Sequence, residues 1–178
     1  WILGYVGPGK FDAVQDIADW VDDDADPERV RCGYQTATTA HLDKEAWGKA
    51  PSLFEYWAHA LFLMPVEMQP LFRWRMARAE AGETWTGLAR FGRERRDYID
   101  NILEEIEKRG PVTGGDFATG PRGQPGWWSW SEGKRALEWL FWTGYLTTST
   151  RRGFERVYDL TERALPAAIM NLPTPVEA

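Results

Sequence analysis

The sequence has few of the residues from which disulfides and metal sites are built. It contains one cysteine, Cys32, and two histidines, His41 and His59. A lone cysteine cannot form a disulfide within the chain, and two histidines without a cysteine cluster do not complete a zinc site. We therefore expect no metal and no cofactor. The low cysteine count is typical of a reducing compartment, and we expect a cytoplasmic protein.

Long apolar runs are also missing, so the sequence predicts no membrane-spanning helix and no membrane contact, and no signal peptide is visible. Hydrophobic residues make up 43% of the chain, which is ordinary for a globular protein. The first residue is Trp1 rather than a methionine, and we expect the chain to be a piece of a longer protein. We expect a monomer.

An excess of positive charge is lacking, since 21 basic residues face 27 acidic ones and the formal net charge is −6. The acidic excess lies in residues 1–55, whereas residues 121–156 carry six basic side chains and three acidic ones. The distribution of charge matters more than its sum for binding to nucleic acid. The second half of the chain therefore remains compatible with a DNA partner.

The first half of the chain predicts helices. We expect a short helix over residues 12–21, then a solvated acidic loop, and a helix that Asp43 caps. The apolar run from Leu53 to Leu63 predicts a further helix, which Met64 and Pro65 end. A third helix is expected from Val66 to Ala81, with Gly82 as its stop.

The boundaries of helices and strands are marked more clearly in the second half of the chain. Residues 93–109 predict an amphipathic helix with one apolar stripe, ended by Gly110 and Pro111. Residues 111–117 have room for a strand stub and one helical turn, and residues 119–126 predict a loop.

After this loop, Ser131 is expected to cap a helix over residues 132–143, with Gly144 following it. Residues 145–148 and 154–160 predict two strands joined by a turn over residues 149–153. This order is that of a winged helix-turn-helix: a mainly α fold with a small β-hairpin, the wing. In such folds the second helix of the motif enters the major groove of duplex DNA, and the wing contacts the adjacent backbone.

Basic residues stand where this fold would meet DNA. Lys134 and Arg135 fall in the first turn of the candidate recognition helix, where the helix dipole also favours a phosphate, and we expect them to lie with Glu138 toward its exposed side. Three further arginines fall at or near the wing tip, and one precedes the helix: Arg151, Arg152, Arg156 and Arg122. The alternative is ordinary surface charge on a helix and a hairpin.

Two further sets of residues could each have either a structural or a functional role. Among Trp127, Trp128 and Trp130, Trp128 is a candidate for stacking on exposed bases, although core packing is the commoner role of such rings. Glu55 and His59 would share one face of the predicted helix, where a carboxylate beside an imidazole can do acid-base work. A structural ion pair is the commoner outcome for that spacing.

The combination of motifs resembles the helix-turn-helix DNA glycosylases of the AlkZ/YcaQ type. The resemblance covers about residues 42–175. The matching stretches are Leu53 to His59, Leu63 to Glu67, Pro70 to Met76, Gly110 to Thr113, Trp127 to Trp130, Lys134 to Gly144, and Arg152 to Leu160 with Glu162 and Arg163.

The resemblance implies tandem winged-helix domains followed by a small β-barrel. Residues 1–90 would then hold a partial, divergent first winged-helix domain, residues 91–165 the second, and residues 166–178 a linker toward domains beyond Ala178. It also implies hydrolysis of the N-glycosidic bond of alkylated bases, in some members of interstrand crosslinks. Such a site must supply a placed water and stabilise an oxocarbenium-like sugar.

The family's catalytic Gln-x-Gln or Gln-x-Asp motif has no counterpart in this sequence, and the nearest string contains Gln15 and Asp16. Three explanations stay open: divergence of the N-terminal part, a frameshift or assembly error, and loss of activity. Gln15 and Asp16 are therefore the catalytic candidates from this region. The alternative function is a non-catalytic winged-helix protein, such as a transcription regulator or a protein-interaction module.

Overall fold

The computed structural model of the protein describes residues 43–57, 61–117, 131–153 and 155–175. These ranges are mostly helical, with one two-stranded and one three-stranded antiparallel sheet. The predicted helix over residues 12–21, the acidic loop after it and the loop at residues 119–126 lie outside the described residues. Residues 43–47 are helical, so the expected helix is present, although Asp43 lies within it rather than at the capping position before it.

The apolar run after Ser52 forms a β-hairpin, so the prediction of a helix from Leu53 to Leu63 is wrong. Strand β1 (Leu53–Trp57) pairs antiparallel with β2 (Leu61–Pro65), and Leu53 lies opposite Pro65. Four consecutive residues of β1 are buried, so the strand shows no polar-apolar alternation. A short continuous apolar run of this kind cannot be told from a buried helix by its periodicity.

Two helices follow the hairpin. After a 3₁₀ turn at Val66–Met68, helix α1 (Gln69–Glu80) confirms the third predicted helix. Helix α2 (Thr86–Glu94) was not expected, because two of its nine residues are glycines, which weaken a helical pattern. Arg95 leaves the helical conformation at φ −128°, and this separates α2 from the next helix.

The amphipathic helix is confirmed as α3 (Arg96–Arg109), although it begins three residues later than expected. The buried members of its apolar stripe are Ile99, Ile102 and Ile106. Gly110 ends it at φ +90°, a conformation that glycine adopts without steric cost. Strand β3 (Val112–Thr113) and a 3₁₀ turn at Gly114–Phe117 confirm the stub and the single turn.

Helix α4 (Glu132–Trp142) begins as expected, since the Ser131 hydroxyl accepts a hydrogen bond from the Lys134 backbone N–H at 3.2 Å. Strands β4 (Leu146–Arg152) and β5 (Glu155–Leu160) form the predicted hairpin, which we call the wing. Strand β4 extends further toward the tip than expected, whereas β5 begins one residue later than expected, and the turn between them is shorter. The sheet order is β3-β5-β4, and a bulge interrupts the β4–β5 register between Thr148 and Thr150.

The chain ends with two short helices, α5 (Thr161–Ala164) and α6 (Ala167–Met170). Thr161 is the first residue of α5, and its hydroxyl donates to the Gly144 carbonyl at 2.7 Å. The order α3, β3, 3₁₀ turn, α4, β4, β5 is compatible with a winged helix. The division at residues 90 and 165 stays a prediction. None of the helices in the described ranges is long and apolar enough to cross a membrane.

Helix α4 is the centre of the larger core. Six consecutive residues, Ala136 to Phe141, are buried, so after its first turn the helix is covered on every side. The prediction that Glu138 lies on an exposed side of this helix is therefore wrong. Tyr56 joins this core to a smaller one around β1 and α1, because its ring lies 6.0 Å from that of Phe141 and its hydroxyl donates to the Trp142 carbonyl at 2.7 Å.

Helices α2 and α4 pack closely enough that the position of Gly92 cannot hold a side chain. A Cβ atom there would lie 2.1 Å from Nε1 and 2.8 Å from Cδ1 of Trp139, whose indole is buried. Glycine-to-alanine changes inside a helix normally stabilise it. At Gly92 we expect the opposite sign, because Trp139 would have to move.

Gly92→Ala should therefore lower the free energy of unfolding by roughly 1–3 kcal/mol, as over-packed core positions do. The measurement is denaturant unfolding followed by tryptophan fluorescence and circular dichroism. Gly115→Ala is the matched control, since its nearest neighbour would be at an ordinary 3.5 Å. A Gly92→Ala variant as stable as the control would contradict the observed α2–α4 packing.

Candidate nucleic-acid interface

The described ranges contain six of the predicted site residues: Glu55, Lys134, Arg135, Arg151, Arg152 and Arg156. The remaining five lie outside the described residues: Gln15, Asp16, His59, Arg122 and Trp128. The interpretation of Trp127 and Trp130 as core rings lies outside them as well. Four of the six described residues, Glu55, Lys134, Arg151 and Arg156, belong to one buried group of charges. We call this group, together with Glu138 and Tyr158, the charge cluster.

Glu55 is buried in β1 and accepts hydrogen bonds from two arginines of the wing. Arg156 Nε donates to its Oε1 at 3.1 Å, and Arg151 Nε donates to its Oε2 at 3.3 Å. Arg151 Nη2 forms a second, short contact with Oε1. Hydrogen bonds between charged groups of this kind are stronger than neutral ones. Glu55 therefore ties the first hairpin to the wing.

Glu138 of α4 is the second buried carboxylate of the cluster. Its Oε1 receives Lys134 Nζ, Arg156 Nη1 and the Tyr158 hydroxyl, each at 2.8 Å. Burial alone would raise the pKa of Glu138, but the positive charges of Lys134 and Arg156 outweigh it and hold this pKa below its ordinary value. Glu138 is therefore ionised at neutral pH although it is almost fully buried.

Arg156 joins the two carboxylates, since one guanidinium bonds both Glu55 and Glu138. Burial by itself would lower the pKa of Arg156, but Glu138 and Glu55 together raise it above its ordinary value. The pKa of the Tyr158 hydroxyl is raised by burial and by the charge of Glu138. The cluster therefore holds three basic side chains, two carboxyl side chains and the Tyr158 phenol, which is a formal net charge of +1.

Two predicted DNA contacts lie outside the charge cluster. Arg152 is exposed at the wing tip, opposite the exposed Glu155. Arg135 is half-buried at the start of α4, and its guanidinium lies 4.7 Å from the centre of the Phe91 ring. These two side chains, rather than Lys134, Arg151 and Arg156, are placed to meet a phosphate without first losing a carboxylate partner from the cluster.

The expectation that Glu55 and His59 share a helix face is wrong, because residue 55 lies in strand β1. Glu55 itself is enclosed and ion-paired, which is the structural outcome. No group of three or more His, Cys, Asp or Glu side chains that would hold a metal occurs in the parts of the chain that the structure describes.

A cleft of about 290 Å³ between α1, α2 and α4 was not expected from the sequence. Its lining includes Arg93, Arg96 and Trp139. Arg96 covers one part of the Trp139 ring at 4.8 Å, and Tyr145 stacks on that ring with a centroid distance of 6.4 Å. Since the indole already has these partners, the cleft offers no free aromatic face on which a base would stack.

Comparison with known families identifies the family of this chain. A family model described as DNA glycosylase AlkZ-like matches residues 29–178. The chain belongs to the AlkZ-like DNA glycosylase family. No solved structure matches it. Membership implies DNA as the substrate. The match begins after Gln15 and Asp16, so these two catalytic candidates lie outside the family-matched part of this AlkZ-like chain.

The sequence does not predict the charge cluster as a whole, although parts of it leave a local signal. Lys134 and Glu138 are four residues apart in a helix, a spacing at which side chains meet. Arg156 and Tyr158 are two apart in a strand and so share one face of the sheet. No local signal connects either pair with Glu55, which precedes Arg156 by 101 residues.

The lowered pKa of Glu138 makes its contribution to stability dependent on pH. A carboxyl group whose pKa is lower in the folded than in the unfolded state stabilises the fold above its unfolded pKa, near 4.3, and this is lost as the pH falls through the folded value. Glu138→Gln should therefore lower the free energy of unfolding at pH 7 by roughly 3–5 kcal/mol, and this deficit should shrink below about pH 4.

The measurement is denaturant unfolding of both proteins from pH 7 to acid. Glu132→Gln is the control in the same helix, because the Glu132–Arg95 pair at 2.6 Å is half exposed and such pairs contribute about 0–1 kcal/mol. A deficit of constant size across the pH range would mean that the charge of Glu138 is not what stabilises the fold.

Proposed function

We propose that this chain is the DNA-binding part of a repair glycosylase that hydrolyses the N-glycosidic bond of alkylated bases in duplex DNA. The family match over residues 29–178 carries the proposal. The winged-helix order of elements and the exposed Arg152 at the wing tip support it, because wings contact the DNA backbone. Interstrand crosslinks are a further substrate that the family resemblance suggests.

The proposed chemistry needs little help from an acid. An N7-alkylated purine carries a positive charge and leaves readily, so the site mainly supplies a placed water and negative or dipolar stabilisation of the sugar. We propose Gln15 and Asp16 as the candidates for this role. Glu55 is held by two arginines in the interior, and we propose a positioning role for it instead.

The rival is a sequence-reading winged-helix regulator, and the absence of a Gln-x-Gln or Gln-x-Asp string favours it. The burial of α4 argues against it. A recognition helix reads base edges through an exposed face in the major groove, whereas Ala136 to Phe141 are all buried here. A protein that meets DNA mainly through backbone contacts binds many sequences with similar affinity.

The glycosylase proposal predicts release of N7-methylguanine from methylated duplex DNA. The protein is incubated with such DNA in the presence of a chelator, and the freed base is measured by chromatography. Undamaged DNA of the same sequence is the control, together with competition between unrelated duplexes. Binding without any release of base contradicts the enzyme. A strong preference for one undamaged sequence would support the regulator.

Binding to undamaged duplex DNA should depend on salt through the wing. Arg152→Ala should make the slope of log affinity against log salt shallower by about 0.9, the value for one phosphate contact, and weaken binding to all sequences alike. The measurement is fluorescence anisotropy between about 50 and 200 mM salt. Arg78→Ala is the control, since Arg78 is also an exposed arginine, in α1, where it is paired with Glu83 at 2.6 Å. Equal slopes for the two variants would exclude the Arg152 contact.

A further inference from the structure

Two arginines of the wing face each other across the strand pair. Arg151 of β4 lies directly opposite Arg156 of β5 in the register. Like charges in directly opposed positions destabilise a pair of strands. Here the Glu55 carboxylate accepts hydrogen bonds from both guanidinium groups, so its negative charge offsets the repulsion between the two arginines. This carboxylate comes from β1, outside the wing.

The two neighbouring arginines of β4 consequently differ in exposure, since one is paired with Glu55 and the other is exposed. Successive side chains of a strand point to opposite faces. Arg151 faces Glu55 and its side chain is 21% exposed, whereas Arg152 is exposed at the tip. Arg156 is more enclosed, with 11% of its side chain exposed, and also bonds Glu138. Of the two arginines that Glu55 binds, Arg151 is therefore the less enclosed one.

We propose that Glu55 is a positioning residue that limits how strongly the wing binds DNA phosphates. By pairing with Arg151 and Arg156 it anchors the wing to the first hairpin and leaves Arg152 as the exposed arginine of β4. Sequence-independent affinity grows with every phosphate that a protein neutralises, and it is this affinity that holds a protein on undamaged DNA. This inference rests on the proposed function, because it assumes that the wing meets the DNA backbone.

The test is the salt dependence of binding to a short undamaged duplex, measured as for Arg152→Ala. In Glu55→Gln the carboxylate charge no longer competes with a phosphate for Arg151, so the slope should steepen by about 0.9 and binding at low salt should tighten several-fold. The double variant Glu55→Gln with Arg151→Ala should return to the slope of the unchanged protein. Glu55→Asp keeps the charge and should also keep that slope.

A purely structural role for Glu55 would lower stability without steepening the slope, so circular dichroism and thermal unfolding accompany every binding curve. An unchanged or shallower slope in folded Glu55→Gln overturns the proposal. If Glu55→Gln does not fold, the single variant Arg151→Ala decides: it should leave the slope unchanged, and a shallower slope overturns the proposal. Failure of every variant and of the unchanged protein to bind DNA would instead overturn the proposed function.

Discussion

The fold depends on two carboxylates that are buried among cations. Glu55 comes from the first hairpin, Glu138 from α4, and Arg156 of the wing bonds both. An isolated charge in the interior is very unfavourable, so each carboxylate depends on the cations with which it pairs. Because these cations come partly from another element, moving the hairpin, α4 or the wing away from the others would leave a buried charge without its partner.

The second half of the chain could be predicted from sequence because its boundaries are marked by local chemistry. Ser131 caps α4 through its own hydroxyl, and Gly110 and Gly144 adopt positive φ at helix ends, so each signal acts within a few residues. The hairpin from Leu53 to Pro65 has no such marker, since burial of four consecutive residues in β1 removes the alternation that would identify that strand. Tertiary packing decided between helix and strand there.

The candidate site was less predictable than the fold, because its residues differ only in which face of a strand they occupy. Arg151 and Arg152 are adjacent and chemically identical. The bulge near Ser149 and the late turn set the register that points Arg151 inward. The carboxylate that receives it lies 96 residues earlier in the chain. Neither the register nor a partner at that separation can be read from local pattern, whereas the position of the wing itself can.

The burial of α4 and the pairing of the wing arginines have a common consequence for how such a protein would meet DNA. A helix covered from Ala136 to Phe141 has no face for base edges, so specificity through the major groove is excluded for that segment. Among the residues that the structure describes near this helix, Arg152 is an exposed cation. Binding through phosphate contacts is salt-sensitive and sequence-tolerant. A repair enzyme must examine every sequence and hold only damaged ones, so sequence-tolerant binding to intact DNA fits the proposed function better than it fits a sequence-reading regulator.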